Sequence, residues 1–399
     1  MALCEAREHD LSCSAGYGVG IVGHPISEPP RRGRARVAGL MILVVIIGLV
    51  IWSNKHLSNE FAITPGLAQP VGPLISVSDH PHSAARQTIM LTDVYLTQLT
   101  TWQWLIDQIH PPAHEEFISL SMLTDFPASQ LTAQAYLQMF DSKSFAKVAA
   151  MRALGLHVGG TPIGATVYGF PTDSPAASVL SVGDRVVAAQ GMPIRNECDL
   201  VRAASRVGPG QRLSLMVQHV RISGTGVFGY MPPTSVEVHV ASVPADAGQS
   251  RCPGNPSLVA SYPLGTPLAP MFLEDATRWH FPVSVSIKTP SIGGPSAGLA
   301  MTLGVIDALS KTSITGTLKI AATGEIDQYG NVLDVGGVAE KTIAVENAGA
   351  TVFLVPTQEF GVARSAASGG LKVIEVATLG QALRAIERLS GVTPVPITG

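Results

Sequence analysis

The sequence predicts an α+β protein with a single N-terminal transmembrane helix, a small β domain and a larger α+β domain at the C-terminal end. Three observations lead there. Four arginines (Arg31, Arg32, Arg34 and Arg36) run into an uninterrupted apolar stretch, Val37 to Trp52. Between Gly155 and Val243, short strand patterns alternate with turns rich in Gly, Pro and Asp. Towards the C-terminus, alternating strand patterns lead into apolar helices. The expected partition is a tail at 1–36, an anchor at 37–53, a mixed juxtamembrane region at 54–150 and the β domain at 151–243. A linker at 244–257, the α+β domain at 258–391 and a tail at 392–399 complete it.

With 399 residues, 46% of them hydrophobic, the chain is long enough to build two or three full cores. Charged residues make up only 14% and the formal net charge is −3, so no basic excess points to a nucleic-acid partner. The four cysteines, Cys4, Cys13, Cys198 and Cys252, form no CxxC pair and have no zinc-type spacing with histidine. Cys198 and Cys252 can pair if their side of the membrane is oxidising, and two unpaired buried thiols fit the sequence equally well. No cofactor is expected.

Taking the chain in order, a 16-residue apolar run makes a helix of about 24 Å, slightly short for a bilayer core. Trp52 and Lys55 are placed to anchor its far end at the interface, and the arginines put the preceding side in the cytoplasm. A cleaved signal peptide is the alternative, but Ser53-Asn54-Lys55-His56 offers no small-x-small cleavage site. The run is apolar on every face, which argues against a half-buried core helix. Leu74–Val77 and Gln87–Val94 read as strands, and Ser129–Leu154 as a helix with Ser129 as its N-cap and Gly155 at its end. His80, His82, His110 and His114 raise a metal reading. His114-Glu115-Glu116 has Ile118 where a zinc-protease motif needs its second histidine, so exposed loop histidines are the simpler account.

In the β domain, Asp173-Ser174-Pro175-Ala176-Ala177 is followed by Leu180, by Gly183-Asp184-Arg185-Val186 and by Gly191-Met192-Pro193. A helix is expected near Asn196–Arg206, then strands at Arg212–Val220 and Ser235–Val240. This order resembles a bacterial PDZ domain. The resemblance implies a groove that takes an extended peptide as an added strand, with Gly155, Leu156 and His157 as the peptide-binding edge. A β domain that only packs against its neighbours is the alternative. Ala245–Pro270 has the composition of a linker.

Pro282–Ile287 alternates like a strand and leads into Gly293-Gly294-Pro295-Ser296-Ala297-Gly298, then a helix over Ala297–Leu309. Ser296 thus stands at a helix start, where free amides could stabilise an oxyanion; Gly294, Pro295 and Ala297 make up the turn around it. A serine there is ordinarily just a helix cap. Thr317–Ile326 reads as a strand and turn containing Thr323. A helix beginning near Ala339 carries Lys341, one turn from apolar Ala344 and Val345. Burial there would favour a neutral lysine, able to take a serine proton, and Thr323 is placed to orient its nitrogen. By itself Lys341 is compatible with an ordinary surface lysine.

The combination of Gly294-Pro295-Ser296-Ala297-Gly298, Thr323-Gly324-Glu325-Ile326 and Val335-Gly336-Gly337-Val338-Ala339-Glu340-Lys341 resembles the proteolytic domain of the Lon family of serine–lysine peptidases. The resemblance covers about Val259 to Leu389 and implies Ser296 as nucleophile, Lys341 as general base and Thr323 as the family's motif threonine. Two departures stand out: Gly293 occupies a place where the family often has an acid, and the outer lysine of the family's K-E-K is Ala339. No stretch matches the P-loop pattern of an ATPase. The whole order resembles bacterial membrane-anchored PDZ–Lon proteins, which implies an ATP-independent serine endopeptidase outside the cytoplasmic membrane. Its expected partners are protein or peptide substrates, the membrane and, as one possibility, further copies of itself. A catalytically silent PDZ scaffold is the rival reading. A trypsin-like PDZ protease ranks below both, because the convincing serine follows the β domain instead of preceding it.

Overall fold

The computed structural model of the chain describes residues 31–78, 88–112, 114–124, 126–171, 174–207, 210–222, 228–240, 271–289 and 291–393. The expected linker, most of both tails, His80, His82, Cys4, Cys13 and Cys252 lie outside the described residues. Contacts divide the chain into two compact units, Met1–Lys55 and His56–Gly399.

The first unit contains helix α1 (Arg31–Lys55), which includes the predicted apolar run. Its Arg36–Lys55 portion is long and apolar enough to cross a membrane. Val37, Leu40 to Ile47, Leu49, Ile51 and Trp52 are all exposed, so the apolar surface surrounds the helix and forms no stripe.

The second unit begins with β1 (Leu57–Pro70), β2 (Ile75–Val77), β3 (Ile89–Thr100), α2 (Thr101–Ile109), β4 (Glu116–Ser119), α3 (Leu120–Leu123) and α4 (Leu131–Ala153). There follow β5 (Gly159–Gly169), β6 (Arg185–Ala189), β7 (Met192–Pro193), α5 (Glu197–Val207), β8 (Arg212–Gln218), β9 (Val220–Ile222), β10 (Phe228–Tyr230), β11 (Thr234–His239) and β12 (Phe272–His280). The last part is β13 (Val285–Ile287), α6 (Gly298–Ala308), β14 (Ile320–Ala322), β15 (Glu325–Ile326), β16 (Val332–Leu333), α7 (Val338–Asn347), β17 (Val352–Pro356), α8 (Phe360–Ala366), β18 (Lys372–Val376) and α9 (Leu379–Ser390). The chain is thus a mixed α+β protein.

One six-stranded sheet has the order β18-β17-β14-β3-β1-β4. Its β18, β17, β14 and β3 are parallel, and β3, β1 and β4 are antiparallel. Of the two strands expected in a separate juxtamembrane region, the one at Gln87–Val94 overlaps β3 of this sheet, while the one at Leu74–Val77 overlaps β2, which pairs with β13. Pairing places β3 in the sheet: Ile89-Met90-Leu91 aligns with Ile320-Ala321-Ala322, and β14 has a bonded neighbour on each side. Side-chain alternation divides the core. Ile89, Leu91, Ile320, Ala322 and Leu354 pack with α6, α4 and α9, while Met90, Ala321, Phe353 and Val355 pack with α7 and α8. Helix α6 is buried along its whole length, which explains why its sequence is apolar without a polar face.

The other main sheet has the order β11-β8-β6-β5-β12, with β7 beside β6, and a core that includes Val167, Val186, Leu200, Leu213 and Leu215. Strand β12, expected within the C-terminal domain, instead pairs along the length of β5, from Gly159 to Gly169. This corrects the expected peptide-binding edge. Gly155, Leu156 and His157 belong to no strand. They close α4: Gly155 N–H donates to Arg152 O at 3.0 Å and Leu156 N–H to Met151 O at 2.9 Å. Gly155 has φ +77°, the left-handed turn that ends many helices. Two of the amides meant for a peptide carboxylate are therefore used by the helix end, and β5 beyond them pairs with β12 from Gly159 on and with β6 at Ala165 and Thr166. At the other end of α4, Ser129 sits in a 3₁₀ turn and Gln130 takes the cap position. The Gln130 side chain is occupied instead in a two-way bond with the Phe170 backbone, at 2.7 and 2.9 Å.

Candidate active site

Ser296 lies in a four-residue turn closed by Gly298 N–H donating to Pro295 O at 3.0 Å, with Ala297 as the N-cap of α6. The turn is held from two sides. On the β14 side, the Ser296 carbonyl accepts from Gly324 N–H at 2.9 Å and from Thr323 Oγ1 at 3.3 Å, and Leu299 N–H returns a bond to Gly324 O at 3.0 Å. Gly324 has φ +136°, and a Cβ there would come within 2.7 Å of Val332, so no other residue fits. On the α4 side, Gly294 N–H donates to Ala135 O at 2.7 Å and Ser142 Oγ donates to Pro295 O at 3.1 Å.

These bonds correct the expected set of oxyanion donors. Gly294 N–H is committed to Ala135, and Pro295 has no N–H. Two other backbone donors of the turn, Ser296 N–H and Ala297 N–H, have no acceptor among the described residues. The unusual Gly293 also finds its cause here. A Cβ at that position would lie 2.8 Å from the Ala135 Cβ, so α4 occupies the space a side chain would need.

Thr323 is fully buried and follows β14 in register, its N–H bonding Leu354 O at 3.0 Å. Alternation puts its side chain on the face of Ala321, the face that α7 covers. Its proton goes to the Ser296 carbonyl and not to a lysine nitrogen, which revises the role expected from sequence. A hydroxyl that donates once can still accept.

Lys341 is no surface lysine: it is 2% exposed on α7. Burial pushes its ammonium down to about 8, partly offset by the carboxylates of Glu359, Asp93 and Glu340. A much larger fraction is therefore neutral near neutral pH than for an exposed lysine. Thr92, on the adjoining β3, is buried with its Oγ1 unpartnered.

A second titratable cluster lies between α4 and the other sheet. Asp141, Thr166, Arg185, Tyr230, Glu274 and Thr277 are among the residues lining a small cavity. Burial raises Asp141 to about 7 against the opposing effect of Arg185, and it raises Glu274 to about 8, reinforced by Asp141 and Glu325. The sequence marks Asp141-Ser142-Lys143 only as part of the helix entering the β domain. The contacts of Ala135 and Ser142 and the grouping of this cluster escape it, because the partners stand far off in the chain, Ser142 and Pro295 being 153 residues apart. Among the described residues, no group of three or more His, Cys, Asp or Glu is arranged to hold a metal ion.

A serine on a helix-start turn and a buried, partly neutral lysine are the components of a serine-type peptidase site that works without histidine. Comparison with known proteins agrees: residues 270–386 match the Lon protease (S16) C-terminal proteolytic domain. The chain is similar to Lon protease of Clostridioides difficile (strain 630), 52% identical over 65 residues, which are 16% of this chain and 8% of that protein. It is also similar to Lon protease of Lachnoclostridium phytofermentans, 34% identical over 116 residues, 28% of this chain and 14% of that protein. Lon protease of Malacoplasma penetrans is 38% identical over 81 residues, 19% and 10% of the two chains. The chain thus carries a Lon-type serine peptidase domain and aligns with about a tenth of the length of these relatives.

Proposed function

We propose that the protein is a membrane-anchored serine endopeptidase with a Ser296–Lys341 dyad that cuts extracytoplasmic proteins without an ATPase in the same chain. The carrying observation is the burial of Lys341, 2% exposed, within a domain that also ties Ser296 into a helix-start turn. Neutral Lys341 takes the Ser296 Oγ proton as the oxygen attacks a peptide carbonyl. Ser296 N–H and Ala297 N–H hold the oxyanion, and the lysine returns the proton to the leaving amine. Water then hydrolyses the acyl-enzyme, with Lys341 again as base. Thr323 accepts from the protonated lysine while donating to the Ser296 carbonyl, which links the two halves of the dyad.

In this reading α1 is a single-pass anchor with its arginines in the cytoplasm. Cys198 is disulfide-bonded, its partner outside the described residues, which supports an oxidising location for the second unit. The PDZ-like unit gathers substrate at the outer edge of β12, which has a bonded strand on one side only among the described residues. From β12 the chain runs through β13 directly into the nucleophile turn, so an added strand lies close in sequence to the chemistry.

The test is cleavage of an unfolded protein substrate, together with labelling of Ser296 by a serine-reactive phosphonate. Ser296→Ala and Lys341→Ala should each lower cleavage by at least about a thousandfold with the thermal transition retained. Normal turnover in either folded variant refutes the dyad, and a wild-type protein that neither cleaves nor labels favours the scaffold reading.

A further inference from the structure

The nucleophile turn owes half its anchoring to a helix that lies outside the matched proteolytic domain. Helix α4 reaches it through Ala135 O and Ser142 Oγ, and Ser142 is 2% exposed. The contact is close, since a Cβ at Gly298 would lie 3.1 Å from Ser142 Oγ and one at Gly293 would strike Ala135. The consequence comes from peptide planarity. In a trans peptide, C=O and the following N–H point in opposite directions. A Pro295 carbonyl turned towards Ser142 therefore turns Ser296 N–H away from α4. Likewise, a Ser296 carbonyl held by Gly324 and Thr323 sets the direction of Ala297 N–H. Each oxyanion donor is aimed by the bonds made to the carbonyl of its own peptide plane, and Pro295 O takes two, from Gly298 N–H within the turn and from Ser142 Oγ outside it.

We propose that Ser142 is a positioning residue for catalysis: its hydroxyl, bonded to Pro295 O, orients the Ser296 peptide so that its N–H serves the oxyanion. Gly293 and Ala135 are the contact that lets α4 come close enough to do so. The same helix bonds the other sheet on its remaining side. Gln134 Nε2 donates to Tyr168 O at 3.2 Å, and the Gln138 amide bonds the Tyr168 hydroxyl. Helix α4 is thus a shared strut between the PDZ-like unit and the nucleophile.

This inference rests on the reading of Ser296 as nucleophile, and the experiment separates the two. Ser142→Ala in the full chain should lower kcat and the phosphonate labelling rate on the order of tenfold, less than deletion of an oxyanion donor, with KM unchanged. Gly293→Ala should do the same by parting the turn from α4, and Ala135→Gly added to it should restore most of the rate. Wild-type activity lost in Ser296→Ala but unchanged in Ser142→Ala overturns the positioning role and leaves the nucleophile intact. A Ser142→Ala loss that appears in KM or only in the thermal transition overturns it too. Failure of Ala135→Gly to rescue Gly293→Ala, with both proteins folded, counts against the strut contact.

Discussion

At the scale of the residue, the proposed dyad joins a half-buried serine to a lysine shut away from water. Lys341 is kept from full charge because water cannot reach it, and Glu359, Asp93 and Glu340 temper the effect. The proposed base acts only when neutral, so kcat/KM and phosphonate labelling should both rise with pH through an inflection near about 8. Glu359→Gln removes the largest opposing charge and should move that inflection lower. An inflection at the ordinary lysine value, or one that Glu359→Gln leaves in place, would count against Lys341 as base. Ser296 could be read from sequence as a candidate nucleophile only through the joint resemblance of its turn, Thr323 and Lys341 to the Lon pattern, because a serine at a helix start is ordinarily a cap. The donors around it could not, since Gly294 N–H is taken by Ala135 from a distant helix.

At the scale of the element, α4 and β12 each join parts that stand apart in the sequence. Helix α4 was legible as a helix ending at Gly155, but its carrying of Ala135 and Ser142 against the nucleophile turn was not. Residues 272–280, within the stretch expected to form the C-terminal domain, make strand β12 and pair with β5. If substrate adds to its outer edge, an extended peptide bound to the Ser296→Ala protein should slow hydrogen exchange at Phe272–His280 more than at β11. Protection confined to β11, or to Gly155–His157, would refute the β12 edge. At Gly155–His157, proposed from sequence as a peptide edge, two of the three amides satisfy the last carbonyls of α4, as a helix end commonly requires.

At the scale of the whole molecule, the two main sheets of the second unit meet across a half-buried acidic cluster bridged by α4. Asp141 and Glu274 keep their protons in the folded protein up to about 7 and about 8, against ordinary values of 3.8 and 4.5. Between those limits the unfolded chain binds fewer protons, so stability from this pair falls as pH rises through the window. Lys341 works with the opposite sign: its folded value of about 8 lies below the ordinary 10.5, so its contribution to stability recovers as pH rises between them. Wild type should therefore lose thermal stability from mildly acidic pH towards 8, and Asp141→Asn with Glu274→Gln should flatten the fall. Equal slopes in wild type and variant, measured by calorimetry across that range, would show that the cluster does not couple to folding.

The sequence by itself determined what depends on short stretches of chain. These are an apolar run long enough for a membrane helix, the serine turn, the threonine motif, the lysine helix and the absence of an ATPase loop. Such features are local, carried by residue types at fixed spacing. Only the tertiary structure decided that β1, β3 and β4 complete the sheet of the C-terminal domain, that β12 joins the other sheet, and that Ser142 and Ala135 hold the Ser296 turn. Those outcomes depend on which edge finds a partner and which groups are shut away from water, and such long-range pairing leaves no mark on either segment alone.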